Sequence, residues 1–204
     1  MRKSIIAILM TFCLSIMTYA QTPRDRATEL KEQAQSSLNQ KDYIKARYLF
    51  KKAYEAFAAR ENYPQAIECG VQANALYVRE NFYKEGFELC RDMDQLIWAG
   101  EQNQKKVFYD LRFLVNKERL QMYTALKNPA QAKTQLNKLE ETANLAKNDS
   151  LTEVLLYTKA NYYYTFNQNT QGDACFRKLI NQYKEKKDYA KVSDCYKNLI
   201  SIAP

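Results

Sequence analysis

Three tyrosines in this chain stand at the same distance from two later residues. Tyr77, Tyr123 and Tyr163 each precede a small residue by nine positions, and that residue precedes an apolar residue or a cysteine by four. The three sets are Tyr77–Gly86–Cys90, Tyr123–Ala132–Leu136 and Tyr163–Gly172–Phe176, with a weaker copy at Ala34–Ser37–Ala46–Phe50. Such self-similarity predicts a repeat architecture in which each unit packs on its neighbours.

Local patterns predict that each repeat is a pair of helices. The chain has only four glycines and four prolines, and Ala46, Phe50 and Phe57 lie on one helical stripe. Helices are predicted at about 25–40, 43–60, 64–80, 83–99, 104–126, 129–146, 150–167, 171–184 and 188–203. Because the connections are short, neighbouring helices must be antiparallel. The predicted fold is all-α, a superhelical array of about four antiparallel hairpins plus one terminal helix.

The repeat resembles the tetratricopeptide family. The best matches are Ala160, Tyr163, Gly172, Phe176 and Leu179 in the last hairpin, and Ala34, Ala46, Phe50 and Ala53 in the first. The family's tryptophan is absent from its position, and the small residues Ala46, Gly86, Ala132 and Gly172 are 40, 46 and 40 residues apart, against about 34 in the family. A divergent member and a different α-hairpin solenoid both fit this spacing.

The start of the chain has the pattern of a secretory signal. Two basic residues precede an apolar run over residues 5–17, and residues 18–20 read Thr-Tyr-Ala, a small-x-small cleavage site. The prediction is a signal peptide at 1–20 and an exported, periplasmic domain at 21–204, in a Gram-negative bacterium. An uncleaved membrane anchor is the alternative.

The last predicted helix, 188–203, has no partner after it. It is either a terminal capping helix or the first half of a hairpin in a longer array. Apolar residues around most of its circumference favour the longer array. The resemblance then implies the periplasmic sensor region of Bacteroidetes-type membrane-bound regulators, whose kinase or DNA-binding half is absent from these residues. A free periplasmic adaptor is the alternative.

The composition argues against several function classes. The chain contains no histidine and no phosphate-binding or nucleophile-elbow motif, so we expect neither catalysis nor a cofactor or metal. The net charge of +8 falls to +6 without Arg2 and Lys3, and the densest basic run is interrupted by Glu185. No nucleic-acid partner is therefore expected. Carbohydrate or peptidoglycan binding is an alternative function because tyrosine is abundant, although Trp98 is expected in the core.

Four cysteines remain after the signal segment. Cys69 and Cys90 lie at similar distances from the turn near 80–82, and Cys175 and Cys195 from the turn near 185–187. Export permits disulfides in both pairs. The alternative is that each cysteine is a small core residue.

The first helix of each hairpin should line the concave face of such an array. The predicted partner-binding residues are Lys31, Gln35, Glu68, Arg79, Lys117, Gln121, Tyr157, Asn161 and Tyr164. Similar tetratricopeptide proteins hold a peptide carboxylate with lysine and asparagine, but their asparagine pattern is missing here. We expect an extended peptide or a partner's helix, the alternative being a merely solvated face. In the Tyr162–Tyr164 triplet, Tyr163 is expected against Gly172 and Phe176, leaving Tyr164 for a partner.

Overall fold

The structure is a computed structural model that describes residues 25–202. The predicted signal segment, 1–20, lies outside the described residues. Within them the chain forms nine helices and no strand, which confirms the all-α prediction. The helices are α1 (Arg26–Asn39), α2 (Tyr43–Ala58), α3 (Tyr63–Arg79), α4 (Tyr83–Gln104), α5 (Tyr109–Ala125), α6 (Pro129–Ala146), α7 (Asp149–Thr165), α8 (Asn169–Glu185) and α9 (Tyr189–Ile202).

Each connection between helices turns through one residue in the left-handed backbone conformation. These residues have φ between 50° and 62° and are Lys41, Glu61, Asn81, Lys105, Lys127, Lys147, Asn167 and Lys187. The next residue often caps the following helix: the side chains of Asp42, Asn62 and Asn128 each accept a hydrogen bond from a backbone N–H in its first turn. Such a cap typically stabilises a helix by about 1 kcal/mol. The turns therefore stop one helix and start the next without glycine.

The left-handed residues recur every 20 positions, except around α4 and α5. From Asn81 to Lys105 the interval is 24, and from Lys105 to Lys127 it is 22. These six additional residues account for the 46-residue spacing between Gly86 and Ala132. Helix α4 accordingly extends to Gln104, past its predicted end at 99, and α5 begins at Tyr109, later than predicted.

Consecutive helices pack against each other along the chain, so the array of helical hairpins is confirmed. Hairpin 1 is α1–α2, hairpin 2 is α3–α4, hairpin 3 is α5–α6 and hairpin 4 is α7–α8, with α9 packed on α8. The first helices of adjacent hairpins also meet, α3 with α5 and α5 with α7. Small residues allow the helices to approach closely: a Cβ at Gly172 would lie 2.8 Å from the Tyr164 ring.

Trp98 was expected in the core, but the structure places it at the surface. Its side chain is 62% exposed near the end of α4, while its neighbour Ile97 is buried. The apolar run that includes Trp98 is longer than one face of the helix can bury, because successive helical residues point about 100° apart. Trp98 is therefore part of the surface.

Candidate partner-binding surface

The surface predicted for a partner lies on the first helix of each hairpin. Each of these helices has a buried residue twelve positions before the small residue of the second helix (Ala46, Gly86, Ala132 or Gly172). The buried residues are Ala34, Asn74, Leu120 and Ala160. The next residue along the helix points outward. It is Gln35, Ala75, Gln121 and Asn161 in the four hairpins, and all four are exposed. Three of these equivalent positions thus carry a side-chain amide, and we call Gln35, Gln121 and Asn161 the amide row.

Two members of the amide row share one depression. Gln121 on α5 and Asn161 on α7 line a hollow of about 300 Å³ between these helices. Its full lining is Leu120, Gln121, Thr124, Ala125, Lys127, Thr158, Asn161, Tyr162 and Thr165, and we call it the threonine pocket. Buried Leu120 and Tyr162 supply apolar surface there.

The threonines of this pocket were not predicted from the sequence. The hydroxyls of Thr158 and Thr165 each donate to the backbone carbonyl four residues earlier, at 2.8 Å. Each oxygen can still accept a bond from a ligand. The Thr124 Oγ1 atom is buried and has no hydrogen-bond partner within the described part of the chain. The threonine pocket therefore offers hydrogen-bonding capacity that the fold does not use.

The charged residues predicted for this surface are engaged within the chain. Lys31 Nζ lies 2.7 Å from Glu68 Oε2 and donates to Gln65 Oε1 at 2.8 Å, which joins α1 to α3. Lys117 Nζ lies 3.6 Å from Glu118 Oε1. The structure thus brings Lys31 and Glu68 together, and their charges offset each other.

Arg79 also contacts its own protein. Its guanidinium carbon lies 3.9 Å from the centre of the Tyr43 ring at the start of α2. A cation at this distance over an aromatic face stabilises the contact by about 0.5–1 kcal/mol at exposed sites. Arg79 therefore links hairpin 2 to hairpin 1.

Tyr157 and Tyr164, which were predicted to contact a partner, are half-buried and make contacts within the chain. The Tyr157 hydroxyl is 3.2 Å from Cys195 Sγ on α9. Tyr164 stacks on Phe176 and donates to Asp173 at 2.5 Å. Burial raises the pKa of both phenols, and the hydrogen bond to Asp173 raises that of Tyr164 further. Both side chains are held in packing contacts.

The tyrosine triplet is divided differently from the prediction. Tyr164, and not Tyr163, covers Gly172. Tyr162 is buried among apolar residues of the preceding hairpin. Tyr163 packs edge-on against Tyr162, between the core cluster of hairpin 3 and that of hairpin 4. The exposed stripe of α7 therefore contains Asn161 but not Tyr157 or Tyr164, which lie one turn before and after it.

All four cysteines are free, buried thiols in the structure. Burial raises the pKa of Cys69 to about 11 and that of Cys90 to about 12. Cys175 and Cys195 have pKa values raised by the same cause. Such thiols are poor nucleophiles at neutral pH. The predicted pairing in an oxidising compartment stays a prediction, which alkylation tests.

No group of three or more acidic or cysteine side chains between residues 25 and 202 is placed to hold a metal ion. Over the same range, no helix is both long and apolar enough to cross a membrane.

Together, the fold and the amide row define an all-α array of helical hairpins with a largely uncharged polar stripe along its first helices. Neither a scan against protein-family models nor a search of curated proteins finds a match to this chain.

Proposed function

We propose that the chain is a non-catalytic, tetratricopeptide-like binding protein that holds an extended peptide segment of a protein partner. The observation that carries the proposal is the amide row, two of whose members line the threonine pocket. The partner segment crosses α5 and α7 there, with one side chain in the pocket.

The chemistry of the row suits a peptide backbone. A primary amide both donates and accepts hydrogen bonds, and an extended peptide presents alternating N–H and C=O groups. Gln121 and Asn161 therefore bond to backbone groups without selecting a charged sequence. The pairing of Lys31 with Glu68 has the same consequence, because it removes a cation that would otherwise attract an acidic ligand.

The threonine pocket supplies an anchor. About 300 Å³ with Leu120 and Tyr162 in the lining fits one apolar side chain of medium size, and burying such a side chain contributes about 1.5–3 kcal/mol. The Thr158 and Thr165 hydroxyls, which donate within α7, can accept hydrogen bonds from peptide N–H groups at the opening.

A peptide selection tests the proposal. A library of random dodecapeptides on phage is selected on the immobilised chain, and enriched peptides are synthesised and titrated by fluorescence anisotropy. The double substitution Gln121→Ala and Asn161→Ala should weaken their binding about tenfold, because two hydrogen bonds of about 0.5–1.5 kcal/mol each are lost.

A matched control uses exposed amides on the second helices. Asn137 on α6 and Asn181 on α8 are exposed, and replacing both by alanine should change the affinity less than about twofold. Enriched peptides that bind the Gln121/Asn161 variant as tightly as the unchanged protein would place the ligand elsewhere, and a library that yields no binder would count against the function.

The cellular setting is also a proposal, supported by the signal pattern and the repeats. Export should produce a protein that begins at Gln21, which mass spectrometry of the periplasmic fraction measures. The sensor version requires the reading frame to continue past Pro204 into a membrane span and an output module. A stop codon at that point would leave the free adaptor.

A further inference from the structure

A second cavity lies where hairpins 2 and 3 meet. Helices α4 and α6 both pack on α5, and the space between them is a cleft of about 480 Å³. Its lining is Asp94, Ile97, Trp98, Tyr109, Arg112, Asn116, Arg119, Lys138, Glu141, Thr142 and Leu145, and we call it the outer cleft. It shares no residue with the amide row or the threonine pocket. Its volume is within the range of small-molecule sites, about 300–1,000 Å³.

One flat apolar surface stands at the rim of this cleft. Trp98 contributes it, and the exposed side chain of Leu145 lies in the same lining. Trp98 and Leu145 therefore place exposed apolar surface beside the polar groups of the cavity, a combination typical of ligand sites.

The guanidinium groups of the cleft are fixed before any ligand arrives. Arg112 makes a two-point contact with Glu101, including Nε to Oε1 at 2.7 Å, and the Glu101 side chain is only 6% exposed. Burial alone would raise the pKa of Glu101, but hydrogen bonds from Arg112 and from the Phe108 N–H outweigh it and lower the pKa. Arg119 donates to the Cys90 carbonyl at 2.9 Å and pairs with Asp94.

The charges around the cleft balance. Three cations in the lining, Arg112, Arg119 and Lys138, are matched by the lining carboxylates Asp94 and Glu141 together with Glu101 behind Arg112. Hydrogen-bond donors and acceptors are therefore interspersed around the tryptophan, with no net charge to attract an ion.

We propose that the outer cleft binds a short neutral saccharide. A sugar ring has one apolar C–H face, which stacks on Trp98, and hydroxyls that both donate and accept, which match the interspersed donors and acceptors. An anionic ligand would meet Asp94 and Glu141, and a cationic ligand would meet Arg112 and Arg119. The proposal is independent of the peptide site.

Trp98 is the only tryptophan of the chain, so its fluorescence reports on the cleft directly. Maltotriose, cellotriose and N,N′,N″-triacetylchitotriose are titrated into the protein, with trigalacturonic acid as the anionic counterpart. At least one neutral trisaccharide should change the emission with a saturating curve, and trigalacturonic acid should bind at least about tenfold more weakly.

Two lysines on α6 provide the matched variants. Lys138 lines the outer cleft and Lys133 does not, although both are exposed. Lys138→Ala should weaken the saccharide about tenfold, whereas Lys133→Ala should leave the titration unchanged. Trp98→Phe, followed by calorimetry, should weaken binding as well.

Three results would overturn the saccharide site. They are no response to any of the three neutral sugars, tighter binding of trigalacturonic acid than of the neutral sugars, and an affinity that Lys138→Ala does not alter.

Discussion

The α2–α3 and α4–α5 junctions both join one hairpin to the next over buried apolar side chains, but they differ in length and in the ion pairs beside that packing. At α2–α3 the left-handed residues keep the 20-residue interval, and apolar side chains such as Phe57 and Ile67 are buried. At α4–α5 the six additional residues separate the hairpins, and the pairs Arg112–Glu101 and Arg119–Asp94 bridge them. Apolar residues of α4 and α5 also share one core cluster, so the lengthened repeat keeps its apolar packing and places these ion pairs beside the outer cleft.

The largest expected effect on stability is at the α2–α3 junction. Ile67→Ala should lower the free energy of unfolding by about 2–5 kcal/mol, because it removes buried methyl groups and leaves a cavity. Urea unfolding followed by circular dichroism measures the change. Ile44 is the matched control: it is 69% exposed, and its replacement by alanine should change stability by less than about 0.5 kcal/mol. Equal effects of the two substitutions would contradict the packing described for α2–α3.

At the α4–α5 junction, Arg112→Ala should lower the free energy of unfolding by about 1–3 kcal/mol. It leaves the buried Glu101 carboxylate without its cation, but the Arg112 side chain is 47% exposed, so water replaces part of the lost interaction. Adding Glu101→Gln to this variant should restore part of the loss. Arg91 on α4 is exposed and serves as the control, and a loss no greater for Arg112→Ala than for Arg91→Ala would show that the bridge is dispensable.

A second buried carboxylate lies on α5, and its contribution to stability depends on pH in the opposite direction. Glu118 is 2% exposed and accepts a hydrogen bond from Asn74 at 3.0 Å. Burial raises its pKa above the ordinary value of 4.5, and the Asn74 and Lys117 contacts only partly offset that rise. The folded protein therefore binds the Glu118 proton more tightly than the unfolded chain does. Its contribution to stability is present below the ordinary pKa and is lost as pH rises through the raised value.

Glu118→Gln should accordingly stabilise the protein more at about pH 8 than at about pH 5. Glu101→Gln should instead have a similar effect at pH 8 and pH 5 and cost less stability at about pH 3, since the lowered pKa of Glu101 makes its contribution present above the ordinary carboxyl pKa and lost as pH falls through the lowered one. Urea unfolding of both variants at about pH 3, 5 and 8 measures this contrast. Parallel pH profiles for the two variants would contradict the distinction between these carboxylates.

A smaller effect on stability is expected at a turn between two helices. Lys187 has φ of 56°, a conformation that costs a non-glycine residue free energy. Lys187→Gly should raise the free energy of unfolding by up to about 1 kcal/mol. The same substitution at Lys133, inside α6, should lower it by about 1 kcal/mol. Thermal unfolding measures both, and a loss of stability in the Lys187 variant would contradict the assignment of this turn.

The order and approximate bounds of the helices could be predicted from the sequence because caps, prolines and apolar periodicity are local signals. The long α4 was missed, since Lys105 ends it in a conformation that glycine or asparagine usually adopts. The sequence leaves the exposed face of α7 open. The stripe 157–161–164 is spaced by four and then three residues, and the stripe 158–161–165 by three and then four, so both follow the helical period and share Asn161. Only the packing of Phe176 and Cys195 decides which stripe is buried.

The cysteines extend the comparison to the two ends of the array. Cys69 and Cys90 lie in the core cluster that covers hairpins 1 and 2 and part of α5, whereas Cys175 and Cys195 lie in the cluster of hairpin 4 and α9. With iodoacetamide under native conditions, all four should react slowly, because burial keeps each thiol protonated and covered. Cys175 and Cys195 should react before the other pair, since α9 packs on α8 with exposed Tyr189, Tyr196 and Ile200 and opens more readily.

Denaturation separates the free-thiol and disulfide interpretations. In urea without reductant, mass spectrometry should find all four cysteines alkylated. Modification only after reduction, in protein recovered from an oxidising compartment, would instead support the pairs Cys69–Cys90 and Cys175–Cys195. If only the Cys175–Cys195 disulfide is found, hairpin 4 and α9 are joined covalently, whereas the region around Cys69 and Cys90 is held by packing alone.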